Sequence, residues 1–165
     1  MGVPGAARAQ ARVLLLGLGN DLLTDDAVGL VTARRLQPEF ADDPRVDVQE
    51  TAEMGLALLD FIAGYHAVVI VDSIQTGRKP VGAVHEFEAA GLKRLTGQTP
   101  HFLGVGETLA LGRELGLPMP ARVTILAVEV ADPLTLGTQM TPALAQALPA
   151  VLARARAALG SHLDI

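Results

Sequence analysis

The stretch VLLLGLGNDLLTDDAVG, residues 13–29, joins a short apolar run to a turn rich in glycine and aspartate. The leucine-rich run over residues 12–18, bounded by glycine, predicts a buried strand. The helix that follows is predicted through AVGLVTARRL and ends before Pro38, with Thr24 or Asp25 as its cap. A buried strand followed by a tight turn and a helix is typical of an α/β fold.

The rest of the chain continues to alternate strands and helices. Further strands are predicted at 45–50, 67–73, 83–87 and 122–130, and helices at 53–63, 102–115 and 142–158. The link before the strand 83–87 is too short for a helical crossover, so we expect that strand to be antiparallel to its neighbour. The pattern predicts a single domain over residues 1–165, with residues 1–11 as a disordered lead-in. The predicted fold class is a three-layer α/β/α sandwich around a mostly parallel five-stranded sheet with one antiparallel strand.

Composition disfavours several classes of function. The chain has 165 residues, a hydrophobic content of 50% and a net charge of −5. Nucleic-acid binders usually carry a basic patch, and the longest basic cluster here is Arg34-Arg35. The absence of cysteine removes disulfides, thiolate metal sites and cysteine nucleophiles, and it fits a reducing compartment. No apolar run approaches the roughly 18 residues that a membrane helix needs. We expect a cytoplasmic protein that neither binds nucleic acid nor inserts into a membrane, with a monomer as the default.

Acidic residues and a histidine follow the predicted strands. Asp25 and Asp26 come after the first strand, Asp72 lies at the end of the third, and His101 opens the helix before the last strand. The carboxyl ends of parallel strands share one edge of the sheet, where α/β proteins bind their ligands. Two carboxylates and an imidazole at that edge would suit a divalent transition metal with open positions. Each residue taken alone also fits a structural role, as a helix cap, a turn residue or a core histidine.

The glycine turn invites two other interpretations, and the sequence disfavours both. A dinucleotide-binding turn has the pattern G-x-G-x-x-G, but Leu22 occupies the place of the third glycine. Glu50 stands near the position of a ribose-binding acid, yet Asp25 and Asp26 would repel a pyrophosphate. Peptidyl-tRNA hydrolases also begin with a strand and GLGN, but they continue with Pro-Gly, and an acidic chain fits a tRNA ligand poorly.

The segment LLLGLGNDLLTDDAVG resembles the opening of the hydrogenase maturation endopeptidases. These proteins trim a C-terminal extension from the precursor of the large subunit of nickel–iron hydrogenase. The likeness spans about residues 12–158 and continues, in order, through TAEMGL, VVIVDSIQTGRKPVGAVHEF, PHFLGVGETLALGRELG and VTILAVEVADPLTLGTQMTPAL. The chain departs from the family pattern at three points. Asp26 is Glu in some members, Ala27 is Gly in many, and TQMT replaces the more usual Gly-Leu-Ser/Thr-Pro.

The resemblance implies an activity and a set of site residues. The catalytic and metal-contacting positions of the family fall on Asp26, Asp72 and His101. The implied function is an endopeptidase that removes the C-terminal extension of the precursor after nickel insertion and recognises the nickel that the precursor carries. Other divalent metals are expected to be able to occupy the same site. The implied partner is the precursor of a hydrogenase large subunit. The main alternative is a nickel-sensing maturation chaperone that binds without cutting, and a dinucleotide-binding protein is the lesser one.

Overall fold

A computed structural model of the chain describes residues 13–89, 102 and 104–163. In chain order its elements are β1 (Val13–Leu18), α1 (Val28–Phe40), β2 (Val46–Thr51), α2 (Leu59–Ile62), β3 (Ala67–Ile74), β4 (Val84–Glu88), α3 (Val105–Glu114), β5 (Arg122–Glu129) and α4 (Pro142–Leu163). Short 3-10 helices, Thr24–Ala27 and Gly55–Leu58, precede α1 and α2. The order of strands and helices confirms the prediction from the sequence.

The five strands form one mixed sheet in the order β2-β1-β3-β5-β4. The pairs β1–β2, β1–β3 and β3–β5 are parallel, and β4 is antiparallel to β5. The predicted antiparallel strand is therefore confirmed, but its neighbour is β5 and not β3, which precedes it in the chain. The physical reason is burial. All eight residues of β3 are buried and pair over their full length with β5, whereas β4 is partly exposed and suits the edge.

Helices cover both faces of this sheet. Alternate strand residues point to opposite faces, and those on one face, such as Leu16 and Ile70, pack with α2 and α3. Those on the other face, such as Leu15 and Val69, pack with α1 and α4. The three-layer sandwich predicted from the sequence is confirmed.

The first helix touches the sheet directly through two glycines. A Cβ added to Gly29 would lie 2.2 Å from the carbonyl oxygen of Leu18 and 2.3 Å from that of Val71. A Cβ added to Gly17 would lie 2.2 Å from the carbonyl oxygen of Gly29. No side chain fits at either position, because backbone occupies the space. The two glycines thus bring the start of α1 down onto β1 and β3, together with the aspartates that precede it.

Three local predictions differ from the structure. Neither Thr24 nor Asp25 caps α1, because a 3-10 turn intervenes and the cap position, Ala27, makes no side-chain hydrogen bond. The helix also runs past Pro38 to Phe40, at the cost of one backbone hydrogen bond, because proline has no N–H to donate. The predicted helix 53–63 is reduced to a 3-10 turn and the four residues of α2. None of the helices in the described part of the chain is long and apolar enough to cross a membrane.

Candidate functional site

Two of the three predicted site residues meet at the end of β3. Asp72 is fully buried, Ser73 is 5% exposed, and Asp26 is 6% exposed on the turn before α1. The Ser73 hydroxyl donates a hydrogen bond to Asp26 Oδ1 at 2.6 Å. The Ser73 backbone N–H donates one to Asp72 Oδ1 at 2.8 Å. One serine therefore contacts both carboxylates and fixes an oxygen of each.

The second oxygen of Asp72 contacts the segment before α3. The backbone N–H of Phe102 donates a hydrogen bond to Asp72 Oδ2 at 3.2 Å, and the Phe102 ring is fully buried in the core below. His101, the third predicted site residue, lies outside the described residues. Phe102, the next residue in the chain, is hydrogen-bonded to Asp72 at the carboxyl edge of the sheet.

Asp25 is equally buried but contacts a different part of the molecule. Its carboxylate accepts hydrogen bonds from the backbone N–H groups of Ala131 (3.1 Å) and Asp132 (2.9 Å). It also accepts hydrogen bonds from the backbone N–H of Thr141 at 2.7 Å and from the Thr141 hydroxyl. Because Thr141 directly precedes α4, Asp25 holds the loop after β5 at both ends and caps α4 instead of α1. This carboxylate is engaged by protein donors in a structural role.

The glycine turn that precedes these aspartates is shaped by backbone contacts. A Cβ added to Gly19 would lie 2.2 Å from the carbonyl oxygen of Asp26, so the turn closes against the site only with glycine there. The Asn20 side chain accepts a hydrogen bond from the backbone N–H of Leu22 at 2.9 Å. This pattern is typical of a tight turn in which asparagine bonds its own backbone two residues on.

The acid considered for ribose binding is engaged elsewhere. Arg34 contacts Glu50 Oε1 at 2.7 Å and Asp21 Oδ2 at 2.6 Å. The hydrogen bond from Arg34 lowers the pKa of the Asp21 carboxyl below its ordinary value. Glu50 thus pairs with a cation of its own chain, which removes the feature that favoured a dinucleotide site.

A further buried carboxylate stabilises the link between β3 and β4. Glu129 is 1% exposed and accepts hydrogen bonds from Thr76 through its hydroxyl and its backbone N–H, the latter at 2.8 Å. Gly77 N–H and His85 Nε2 lie 3.3 and 3.0 Å from its oxygens. Burial raises the pKa of Glu129, but the hydrogen bonds from Thr76, His85 and Gly77 outweigh it and lower the pKa below its ordinary value.

The described residues include two of the three metal ligands predicted from the sequence. Among them, no group of three or more His, Asp or Glu side chains is placed to hold a metal ion. Asp26 and Asp72 provide two carboxylates at one edge, so a third protein ligand would have to come from outside the described part of the chain. Sequence reasoning missed the role of Ser73. Its signal is a small polar residue directly after Asp72, at the end of an otherwise apolar buried strand.

Comparisons with known proteins show the family and the fold of this chain. The family model described as hydrogenase maturation protease matches residues 30–158. The chain is 28% identical over 152 residues to the hydrogenase 2 maturation protease of Escherichia coli K12, covering 85% of this chain and 90% of that protein. It is 25% identical over 144 residues to the hydrogenase expression/formation protein HupD of Rhizobium leguminosarum bv. viciae, covering 86% and 70%. Its structure is similar to that of the hydrogenase maturating endopeptidase HybD from E. coli, with a TM-score of 0.71, 26% identity, and coverage of 91% and 93%.

Proposed function

This chain belongs to the hydrogenase maturation protease family and is a peptide hydrolase, and we propose that it cleaves a C-terminal extension from the precursor of a nickel–iron hydrogenase large subunit after nickel insertion. The nickel ion is part of the substrate, because the precursor carries it to the protease. A monomer that acts in the cytoplasm stays the expectation from the sequence.

The meeting of Asp26 and Asp72 around Ser73 carries the proposal. Two carboxylates brought together at the carboxyl edge of an α/β sheet are suited to contact a divalent cation presented by a partner. His101, assigned from the sequence, would add an imidazole nitrogen. The nickel would serve as the recognition element and could polarise the scissile carbonyl as a Lewis acid. The contribution of the chain is to hold both carboxylates in fixed directions through the hydroxyl and the N–H of Ser73.

The test compares two forms of one precursor. The purified protein is mixed with the nickel-loaded and the nickel-free large-subunit precursor of the same organism, and both products are weighed by intact mass spectrometry. We expect loss of a C-terminal peptide from the loaded form alone. Loss from both forms would overturn nickel recognition. Binding without loss from either form would support a chaperone that does not cut.

Variants test the assignment of residues. Asp72→Asn removes the charge of one proposed ligand while it keeps the shape of a fully buried side chain, and His101→Ala removes another proposed ligand. Each should abolish processing, while circular dichroism shows a native fold. Asp60→Ala removes an exposed carboxylate on α2, outside the candidate site, and should process at the wild-type rate. Cleavage by either site variant at that rate would refute the assignment.

A further inference from the structure

We propose that exposed apolar side chains around the carboxylates form a docking surface for an apolar segment of the precursor next to the scissile bond. This inference rests on the proposed function and adds how the polypeptide is held. The surface, named here the apolar rim, consists of Leu22, Met54, Leu56, Leu134 and Leu136.

Most of the large apolar side chains that are exposed among the described residues lie at one edge of the sheet, in the apolar rim. Seven large hydrophobic side chains in the described part of the chain are exposed, and five of them belong to the rim. These five follow the carboxyl ends of β1, β2 and β5, which are parallel to β3 and end on the same side. The other two, Leu115 and Leu117, follow α3 at the opposite edge. Scattered apolar residues need no explanation, but a group around a site indicates an interaction surface.

Backbone contacts hold the two most exposed members of the rim in place. Leu136 is 79% exposed and Leu22 is 63% exposed. The two loops that carry them form an antiparallel bridge between Leu23 and Leu136, and Gly137 N–H donates to the carbonyl oxygen of Leu22 at 3.0 Å. Thr24 N–H donates to the carbonyl oxygen of Gly137 at 3.1 Å. An ordered loop therefore presents these leucines to solvent.

The position of the bridge relates the rim to the site. In the sheet, β3 lies between β1 and β5, so a contact between the loops of those two strands spans the end of β3. Asp72 and Ser73 lie at that end, and Asp25 fixes the loop after β5 on the same side. The rim therefore lies at the same edge of the sheet as the carboxylates, beside the end of β3.

The apolar side chains of the rim favour binding of an apolar segment. Leucine and methionine side chains offer no hydrogen bonds and gain free energy only by contact with apolar groups. A peptide hydrolase of this family must hold an extended chain at the carboxylates while it cuts. An apolar segment of the precursor would cover the leucines and orient the bond to be cleaved, as apolar anchors do at the centre of protein interfaces.

Steady-state processing of the nickel-loaded precursor tests this inference. The double variant Leu22→Gln/Leu136→Gln keeps the side-chain volume and removes the apolar contact. We expect KM to rise about tenfold, with kcat within about twofold of the wild type. The matched control is Leu115→Gln/Leu117→Gln, which changes two exposed leucines at the opposite edge and should leave both constants unchanged. Equal thermal unfolding temperatures would show that both variants are folded.

Each outcome separates the docking surface from the proposed function. If the wild type cleaves the precursor and the rim variant has an unchanged KM, the docking surface is refuted and the function stands. If the wild type binds the precursor without cleaving it, the proposed function fails. The docking surface is then supported if the Kd for the precursor rises in the rim variant and not in the control variant, and it is refuted if both Kd values equal that of the wild type. A rim-dependent dimer in sedimentation velocity would assign the surface to a second copy of this chain and overturn the inference.

Discussion

Asp25 and Asp26 are neighbours in the chain, yet they lead into two different regions of the molecule. Asp25 is surrounded by the loop after β5 and the start of α4, where Ala131 and Thr141 donate to its carboxylate. Asp26 instead contacts a side-chain hydroxyl at the end of β3, that of Ser73. Two adjacent carboxylates in one turn can therefore have different roles. The carboxylate of Asp25 holds the loop after β5 in place, and that of Asp26 belongs to the candidate site.

Removing the carboxylate of Asp25 should have the largest effect on stability. Asp25→Ala leaves three partly buried backbone hydrogen bonds without their acceptor, together with the hydrogen bond from the Thr141 hydroxyl. We expect the free energy of unfolding to fall by about 3–5 kcal/mol, measured by urea denaturation. A fall below about 1 kcal/mol would show that other acceptors replace the carboxylate and that the loop after β5 does not depend on it.

Changing the second aspartate should separate activity from stability. Asp26→Asn keeps the shape of the side chain and a carbonyl oxygen for the Ser73 hydroxyl, but it removes the charge of the proposed ligand. We expect kcat/KM for processing to fall at least about 100-fold, followed by mass spectrometry over time. The free energy of unfolding should change by less than about 1 kcal/mol. Processing by this variant at the wild-type rate would contradict the assignment of Asp26 to the site.

Variants of Ser73 test whether the site needs the hydroxyl that contacts Asp26. Ser73→Ala removes the hydroxyl that contacts Asp26, while the backbone N–H still contacts Asp72. We expect kcat to fall about tenfold with little change in KM, because orientation and not binding is lost. Ser73→Thr keeps the hydroxyl and should process at a rate between the alanine variant and the wild type. A change confined to KM would contradict a positioning role.

Glu129 should behave like Asp25, with a smaller effect. Glu129→Gln weakens the contacts to Thr76 and Gly77, which we expect to cost about 1–2 kcal/mol at pH 7. The pKa of Glu129 lies below its ordinary value of 4.5, so its stabilising contribution is present above pH 4.5 and is lost as pH falls through the lower folded-state pKa. Urea denaturation of both proteins between pH 7 and pH 3 should show the stability difference shrinking with acid. A difference that is constant with pH would exclude the carboxylate as its source.

The sequence predicted much of the fold and part of the candidate site. Apolar runs marked the strands, and the ends of β1 and β3 led to Asp26 and Asp72, which the structure brings together at Ser73. The same reasoning overlooked Ser73, although its small polar side chain directly follows Asp72. It could not separate Asp25 from Asp26, because that distinction depends on Thr141, which lies far along the chain. The catalytic roles of Asp26, Asp72 and His101 stay predictions for the variants above.

The layers of the fold and the family of the protein follow from the sequence alone. The periodicity of apolar residues decides which segments can be buried, and the glycine and aspartate turn carries the likeness to the maturation proteases. Folding sets the position of β5 between β3 and β4, the contact of Asp25 with Thr141 before α4, and the backbone hydrogen bond between the loops that carry Leu22 and Leu136. These contacts join residues far apart in the chain, such as Val84 with Val128 and Asp25 with Thr141. Their geometry exists only after the sheet has placed its strand ends on one edge.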